Sequence, residues 1–181
     1  NKPWLKNYPK GVASDIKFSE YSSIVDMFEK TCKRFNSKVS FTNFGVPLTF
    51  DELHEKSSNL ASFLQTELKL FHGSSVAIMM PNLLQYPIST FAILKAGLIV
   101  ENINPLYTER ELEKQLLNSK SESIIILENF CHVLEKIIHK TNIKNIIITS
   151  LGELLGTKGY IINFVARKLK KMVPKYNLQN Y

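Results

Sequence analysis

Several groups of side chains in this sequence have residue types that could do chemistry. His132, Glu135 and His139 fall three and four positions apart, so a helix would bring them to one face as candidate metal ligands. A zinc site also needs three or four organised ligands and a supporting shell, and Lys136 and Lys140 sit among these residues. The expectation is a solvated helix face. His54, Ser57 and Ser58 pair a base with hydroxyls, but no acid or oxyanion loop accompanies them, so no hydrolase triad is expected. Gly156-Thr157-Lys158-Gly159 offers glycines and a lysine for phosphate. It departs from the Gly, four residues, Gly, Lys, Ser/Thr pattern, and reads as a glycine-punctuated surface loop before a helix. His72 falls in a turn and needs no special role.

A fourth grouping is basic. Arg167, Lys168, Lys170 and Lys171 cluster beside Ile161, Ile162, Val165, Leu169, Met172 and Val173, with Lys175 beyond Pro174. Helical spacing over 159–176 would make this a basic amphipathic helix, and the four cations are candidate contacts for an anionic membrane surface. The competing reading is a helix packed on the domain with a solvated lysine face.

The elements that must carry these residues follow from periodicity. Residues 1–20 lack helical period and form an extended arm. Ser22 or Ser23 caps a helix with Val25, Phe28, Cys32 and Phe35 on its apolar face. A strand through Val39, Phe41 and Asn43 turns at Gly45-Val46-Pro47 into Leu48-Thr49-Phe50. Thr49 with Glu52 opens a second helix as a capping box. Then the pattern changes. Val76–Met80, Leu98–Val100, Ile124–Leu127 and Ile146–Thr149 are apolar runs without alternation, as strands covered on both faces require. Helices from about Leu83 to Ala96, from Thr108 to about Leu117 and from Phe130 to His139 separate them. Strand–helix–strand alternation of this kind predicts an α/β fold with a parallel sheet and helices on both sides.

Composition narrows the class. The chain has 181 residues, 44% hydrophobic and 22% charged, enough for a globular core. Two widely separated cysteines, Cys32 and Cys131, suit buried thiols in a reducing cytoplasm. No apolar stretch is long enough to span a bilayer, and Trp4, Tyr8 and Pro9 interrupt any leader-like run. The net charge of +7 fits nucleic acid or an anionic membrane. Phe41, Phe44, Phe50 and Phe63 read as core and not as a base-stacking platform, so no nucleic acid is expected.

Three stretches together resemble the adenylate-forming acyl-CoA synthetase superfamily. They are Leu48-Thr49-Phe50-Asp51-Glu52-Leu53, Leu94-Lys95-Ala96-Gly97, and Asn104-Pro105-Leu106-Tyr107-Thr108-Glu109-Arg110-Glu111-Leu112. With Met79-Met80-Pro81-Asn82-Leu83-Leu84-Gln85-Tyr86-Pro87 before them, they resemble the bacterial long-chain fatty acid–CoA ligases in particular. Trp4-Leu5 with Tyr8-Pro9, and Val173-Pro174-Lys175-Tyr176, extend the resemblance to nearly the whole chain. Glu101 departs from the small or apolar residue usual in that family, and Glu109 from a frequent proline.

The resemblance implies a fold and a reaction. The fold would be the parallel-sheet part of an adenylate-forming N-terminal domain: arm 1–20, α/β part 21–158, and basic helix with the start of a following segment 159–181. The reaction would be ATP-dependent activation of a long-chain fatty acid to its coenzyme A thioester through an acyl adenylate, with Mg²⁺, in the cytoplasm or peripherally on the inner membrane. A homodimer is left open. The motifs present cap helices and shape loops. The Ser/Thr/Gly-rich phosphate loop of that family is absent, so no catalytic, cofactor-binding or metal residue is assigned, and the chain is expected to be an N-terminal piece inactive alone. A related medium-chain or aromatic acid–CoA ligase is one alternative, and a non-catalytic α/β binding module is another.

Overall fold

The computed structural model describes residues 2–15 and 20–178; the remainder of the expected arm (1 and 16–19) and of the C-terminal segment (179–181) lies outside the described residues. Among the described residues, Pro3–Asn7 forms a short 3-10 turn, and Lys2 is tied to Asp15 by an ion pair. Helix α1 (Ile24–Phe35) begins where the Ser23 hydroxyl accepts the Asp26 N–H. It buries Phe28 and Cys32 on the predicted face.

A two-stranded antiparallel hairpin follows, β1 (Val39–Asn43) and β2 (Val46–Thr49). Its turn is Phe44-Gly45, both at positive φ, one step earlier than predicted. Two positive-φ residues match the twist of a tight hairpin, whereas Pro47 fits the second strand because the ribbon has a free edge. Phe50 belongs to helix α2 (Phe50–Thr66), not to the strand, because the Thr49–Glu52 capping box starts the helix there.

The second sheet is the frame of the molecule. Strands β3 (Ser75–Met79), β4 (Ile99–Asn102), β5 (Ser123–Leu127) and β6 (Asn145–Thr149) lie in the order β4-β3-β5-β6, and every pair is parallel. Helix α3 (Gln85–Lys95) crosses from β3 to β4, and α4 (Glu109–Ser119) returns from β4 to β5. Helix α5 (Cys131–Ile137) then leads to β6. The α/β parallel fold read from the sequence is the fold observed.

Each face of the sheet has its own core. Ala77, Met79, Ile124 and Ile126 meet Leu112 and Leu116 of α4 and Leu134 of α5. Val76, Ile78, Ile125 and Leu127 meet Ala61 and Leu64 of α2 and Ala92 and Ile93 of α3. A third cluster joins α1, β2, α2 and α3 through Phe28, Leu48, Leu53 and Ile88.

The familiar motifs explain themselves here. Lys95 donates to the Ser58 hydroxyl at 2.6 Å and lies 3.8 Å from Glu29 and 5.7 Å from the Phe28 ring centre. It therefore pins α3 to α1 and α2 at their shared corner. Gly97 ends α3 at φ +73, and a Cβ there would lie 2.6 Å from the His72 ring. Glu101 is half-buried on edge strand β4 and is satisfied by the Gln115 side-chain amide. Glu109 lies in the first turn of α4 and pairs with Lys136 at 2.7 Å.

Three of the four phenylalanines expected in the core are exposed. Phe41 and Phe44 stand on the hairpin and Phe63 on the outer side of α2, all away from the parallel sheet.

Both capping boxes are complete, Thr49–Glu52 and Thr108–Glu111. Donation by the threonine backbone N–H, then by its hydroxyl, holds each carboxyl below its ordinary value of 4.5. A lowered folded pKa means stability present above the unfolded value and lost as pH falls through the folded one. Stability should therefore fall as pH drops below 4.5. Glu52→Gln with Glu111→Gln keeps both boxes but removes their titration. Denaturant midpoints measured across acid pH should show a shallower decline for the double variant. An unchanged slope would mean the boxes do not set the acid limb.

Candidate functional site: the carboxyl edge of the sheet and its basic strap

In an open parallel sheet, ligands bind outside the carboxyl ends of the strands, at the point where the strand order reverses. Here the order reverses between β3 and β5, because α3 leads outward to β4 and α4 leads back past β3. Met80-Pro81 leaves β3 at this edge, Glu128-Asn129 leaves β5, and Ser150 to Glu153 leaves β6.

The C-terminal segment lies across part of this edge as a strap. Helix α6 (Thr157–Phe164) continues into a π-helical turn at Val165–Leu169, closed by the Lys170 N–H on the Val165 carbonyl at 2.8 Å. The Met172 N–H then bonds the Ala166 carbonyl, and Lys171 takes φ +50. The helix expected to run to residue 176 thus ends at Leu169. A left-handed residue and Pro174, which disfavours helix at Val173, stop it. The predicted apolar face is split as well. Ile162, Val165 and Val173 are half-buried, whereas Ile161, Leu169 and Met172 are exposed.

Four contacts fasten the strap. Gly152 and Gly159 meet backbone to backbone, and a Cβ on Gly159 would fall 1.8 Å from the Gly152 carbonyl oxygen. The Asn163 side chain accepts the Gly152 N–H at 2.8 Å and donates to the Ser150 hydroxyl at 3.0 Å. The Asn129 amide donates to the Met172 carbonyl at 2.9 Å. Arg167 reaches both carboxylate oxygens of Glu128, its Nε at 3.0 and 3.1 Å and a terminal nitrogen at 2.8 Å from one of them. Glu128 is only 5% exposed, and the partnership raises the Arg167 pKa above its ordinary value.

The loop end of β6 is bound in turn. Gln85 donates to the Thr149 hydroxyl at 3.2 Å and the Ser150 carbonyl at 2.8 Å, and Thr149 and the Ser150 N–H both donate to Glu153. Glu128, Thr149, Glu153, Asn163, Arg167 and Tyr176 line a polar cleft of about 500 Å³. Burial, with Cys131 and Glu128 nearby, holds the Tyr176 hydroxyl above its ordinary pKa.

The predicted membrane-surface residues therefore separate. Arg167 is engaged with Glu128, while Lys168, Lys170 and Lys171 are exposed. The glycine–lysine stretch is no loop throughout: Thr157, Lys158 and Gly159 open α6, and Gly159 is buried against Gly152. The seven-residue spacing of two glycines was the visible trace of that contact.

The remaining candidate groups do not assemble. His139 sits in a 3-10 turn after α5, out of phase with His132, and no group of three His, Cys, Asp or Glu side chains among the described residues could hold a metal. Ser57 and Ser58 both donate to the His54 carbonyl, and the His54 ring stacks on Phe28. Cys32 and Cys131 are buried free thiols; burial pushes the Cys131 thiol up to about 12.

Arg167→Ala leaves the Glu128 carboxylate buried without its partner and should lower unfolding stability by about 2 kcal/mol, a value reduced because the arginine is half-exposed. Glu128→Gln on that background should restore part of the loss. Gly159→Ala should cost about 3 kcal/mol or more through the backbone clash. Denaturant unfolding and proteolysis within 157–175 measure both effects. Wild-type protease resistance in both variants would refute the strap.

Comparison with known proteins agrees with this fold. The chain is 48% identical over 178 residues to a long-chain-fatty-acid–CoA ligase of Escherichia coli O6:H1, an alignment covering 98% of this chain and 32% of that protein. The chain thus spans about a third of the length of the curated relatives it matches. Among solved structures, an anthranilate CoA ligase with anthranoyl-AMP superposes with a TM-score of 0.67 at 22% identity, over 71% of this chain and 25% of that one. A long-chain-fatty-acid–CoA ligase of Archaeoglobus fulgidus superposes with a TM-score of 0.63 at 21% identity, over 72% and 29%. The AMP-binding enzyme family matches residues 28–170, from α1 through the π-helical turn of the strap, and the chain belongs to that family.

Proposed function

We propose that the protein to which this chain contributes is a long-chain fatty acid–CoA ligase that forms AMP. The observation that carries this reading is the 48% identity with long-chain-fatty-acid–CoA ligases, sustained along 98% of the chain. In the proposed reaction the fatty acid carboxylate attacks the α-phosphorus of ATP, forming an acyl adenylate and releasing pyrophosphate. The coenzyme A thiol then attacks the acyl carbon, loses its proton, and displaces AMP. Adenylation is required because a carboxylate is a poor electrophile with a poor leaving group. ATP and coenzyme A as co-substrates place the reaction in the cytoplasm, and a bilayer-dissolved substrate favours peripheral contact with the inner membrane.

Within that reaction the described residues act as frame. They hold the carboxyl edge of the sheet open between β3 and β5 and fasten β6 to α3 through Gln85. Magnesium would arrive chelated to the ATP phosphates, and no residue of this chain is assigned to it. The chain also lacks a phosphate-cradling loop ending in lysine, and Lys158 is exposed at the start of α6.

The test is fatty-acid-dependent pyrophosphate release. The 181-residue chain alone should give only the blank rate. The full-length protein should release pyrophosphate with long-chain fatty acids, and form AMP and thioester once coenzyme A is added. Turnover by the short chain would place catalytic residues within it. Preference of the full-length protein for benzoate or medium-chain acids would replace the substrate assignment.

A further inference from the structure

The strap passes from one face of the parallel sheet to the other. Ile162 packs on the cluster shared by α1, α2 and α3. Tyr176 and Leu178 pack on the opposite face, with Leu112 and Leu116 of α4. Residues 163–175 are the crossing between them, and they run over the carboxyl ends of β5 and β6. Among the described residues, none from Asn163 to Lys175 joins any of the three core clusters. The crossing is held instead by directional polar bonds.

Two consecutive residues at the end of β5 supply the central ones. Glu128 takes the Arg167 guanidinium, with Nε at 3.0 and 3.1 Å from its two oxygens and a terminal nitrogen at 2.8 Å from one of them. Asn129 donates to the Met172 carbonyl at 2.9 Å. The two grips lie five positions apart along the strap, one inside the π-helical turn and one beyond its end. Together they fix both the rotation and the advance of the segment. π-helical turns are frequent at functional sites. The anchor is rigid, because β5 is buried at all five of its positions. An ion pair of this kind adds little net stability compared with apolar packing, and its best-attested use is to fix register. The planar guanidinium fork adds direction to that register.

We propose that Glu128 and Arg167 are positioning residues for the acyl-activation step, acting through the strap on the groups that react at the crevice between β3 and β5. The proposal deepens the ligase reading and rests on it. No reacting group is assigned within this chain, and the relatives it matches are about three times as long. Its residues therefore act on the reaction by holding other groups in place. The clasp does so at the strand end that borders the crevice.

The experiment is steady-state kinetics of the full-length protein. Pyrophosphate release is followed while ATP and acid are varied in turn, at a temperature where thermal unfolding shows every variant folded. Arg167→Ala should lower kcat by about ten- to a hundredfold, because a displacement near 1 Å away from the chemistry costs that much. The KM values for ATP and acid should stay within about threefold, the split expected of a residue that touches neither substrate. Glu128→Ala should give the same loss, and the double variant no more than either single one, since one clasp is broken in all three. Arg167→Lys keeps the charge without the fork and should regain part of the rate. Ser23→Ala with Thr49→Ala removes the caps of α1 and α2 and serves as the control. It should lower the unfolding midpoint while leaving kcat within about twofold. Wild-type kcat in Arg167→Ala, a loss carried by KM alone, an equal kcat loss in the cap control, or losses that multiply in the double variant would each overturn the proposal. The rates are compared on whichever acid the wild-type protein activates, so preference for another acid overturns the substrate assignment and not the clasp. A wild-type protein that activates no acid removes the ligase reading and the proposal with it.

Discussion

Strand β5 is buried at all five of its positions and hydrogen-bonds to a parallel neighbour on each side. A strand in that position can expose neither face, and each fully buried isoleucine contributes about 2 kcal/mol relative to exposure. Helices must therefore cover both sides of the sheet. Parallel pairing in turn forces each connection to cross from one end of the sheet to the other, and helices α3, α4 and α5 are those crossings. Once β3 and β5 are neighbours, with β4 on the far side of β3, the reversal of strand order and its crevice follow. The polar residues at the carboxyl edge are thus placed by an apolar requirement in the middle of the sheet.

The same logic says which parts of the fold were legible in the sequence. Both-face burial leaves an unbroken apolar run, and Ile124 to Leu127 was such a run. The capping boxes were legible because they are written within four residues. The hairpin turn lies one step earlier than its sequence suggests because Phe44 occupies a positive φ that favours glycine, and its side chain gives no warning. Phe41, Phe44 and Phe63 read as core in the sequence because hydrophobicity does not reveal which side of an element faces a sheet. The end of the last helix was hidden for a different reason. A π-helical turn inserts one residue into the period, and a face drawn at 3.6 residues per turn then mixes inward Ile162 and Val165 with outward Leu169.

The candidate site was the least legible part because its contacts are between residues far apart in sequence. Arg167 looked like one cation among four, yet Glu128, thirty-nine positions earlier, claims it. Nothing near either residue announces the pair. Gly152 and Gly159 are seven positions apart, and Gly159 reads as loop punctuation, although their lack of side chains permits a close backbone approach. Local rules find caps, turns and strands. They do not find a clasp whose halves belong to different elements.

The strap changes what the family assignment means physically. The sheet alone would present the carboxyl ends of β5 and β6 to water. With Glu128, Asn129, Ser150 and Gly152 all bonded to residues 159–172, that edge is instead roofed by a segment with two distinct sides. The inner side is specified by single contacts, each needing one residue type at one position.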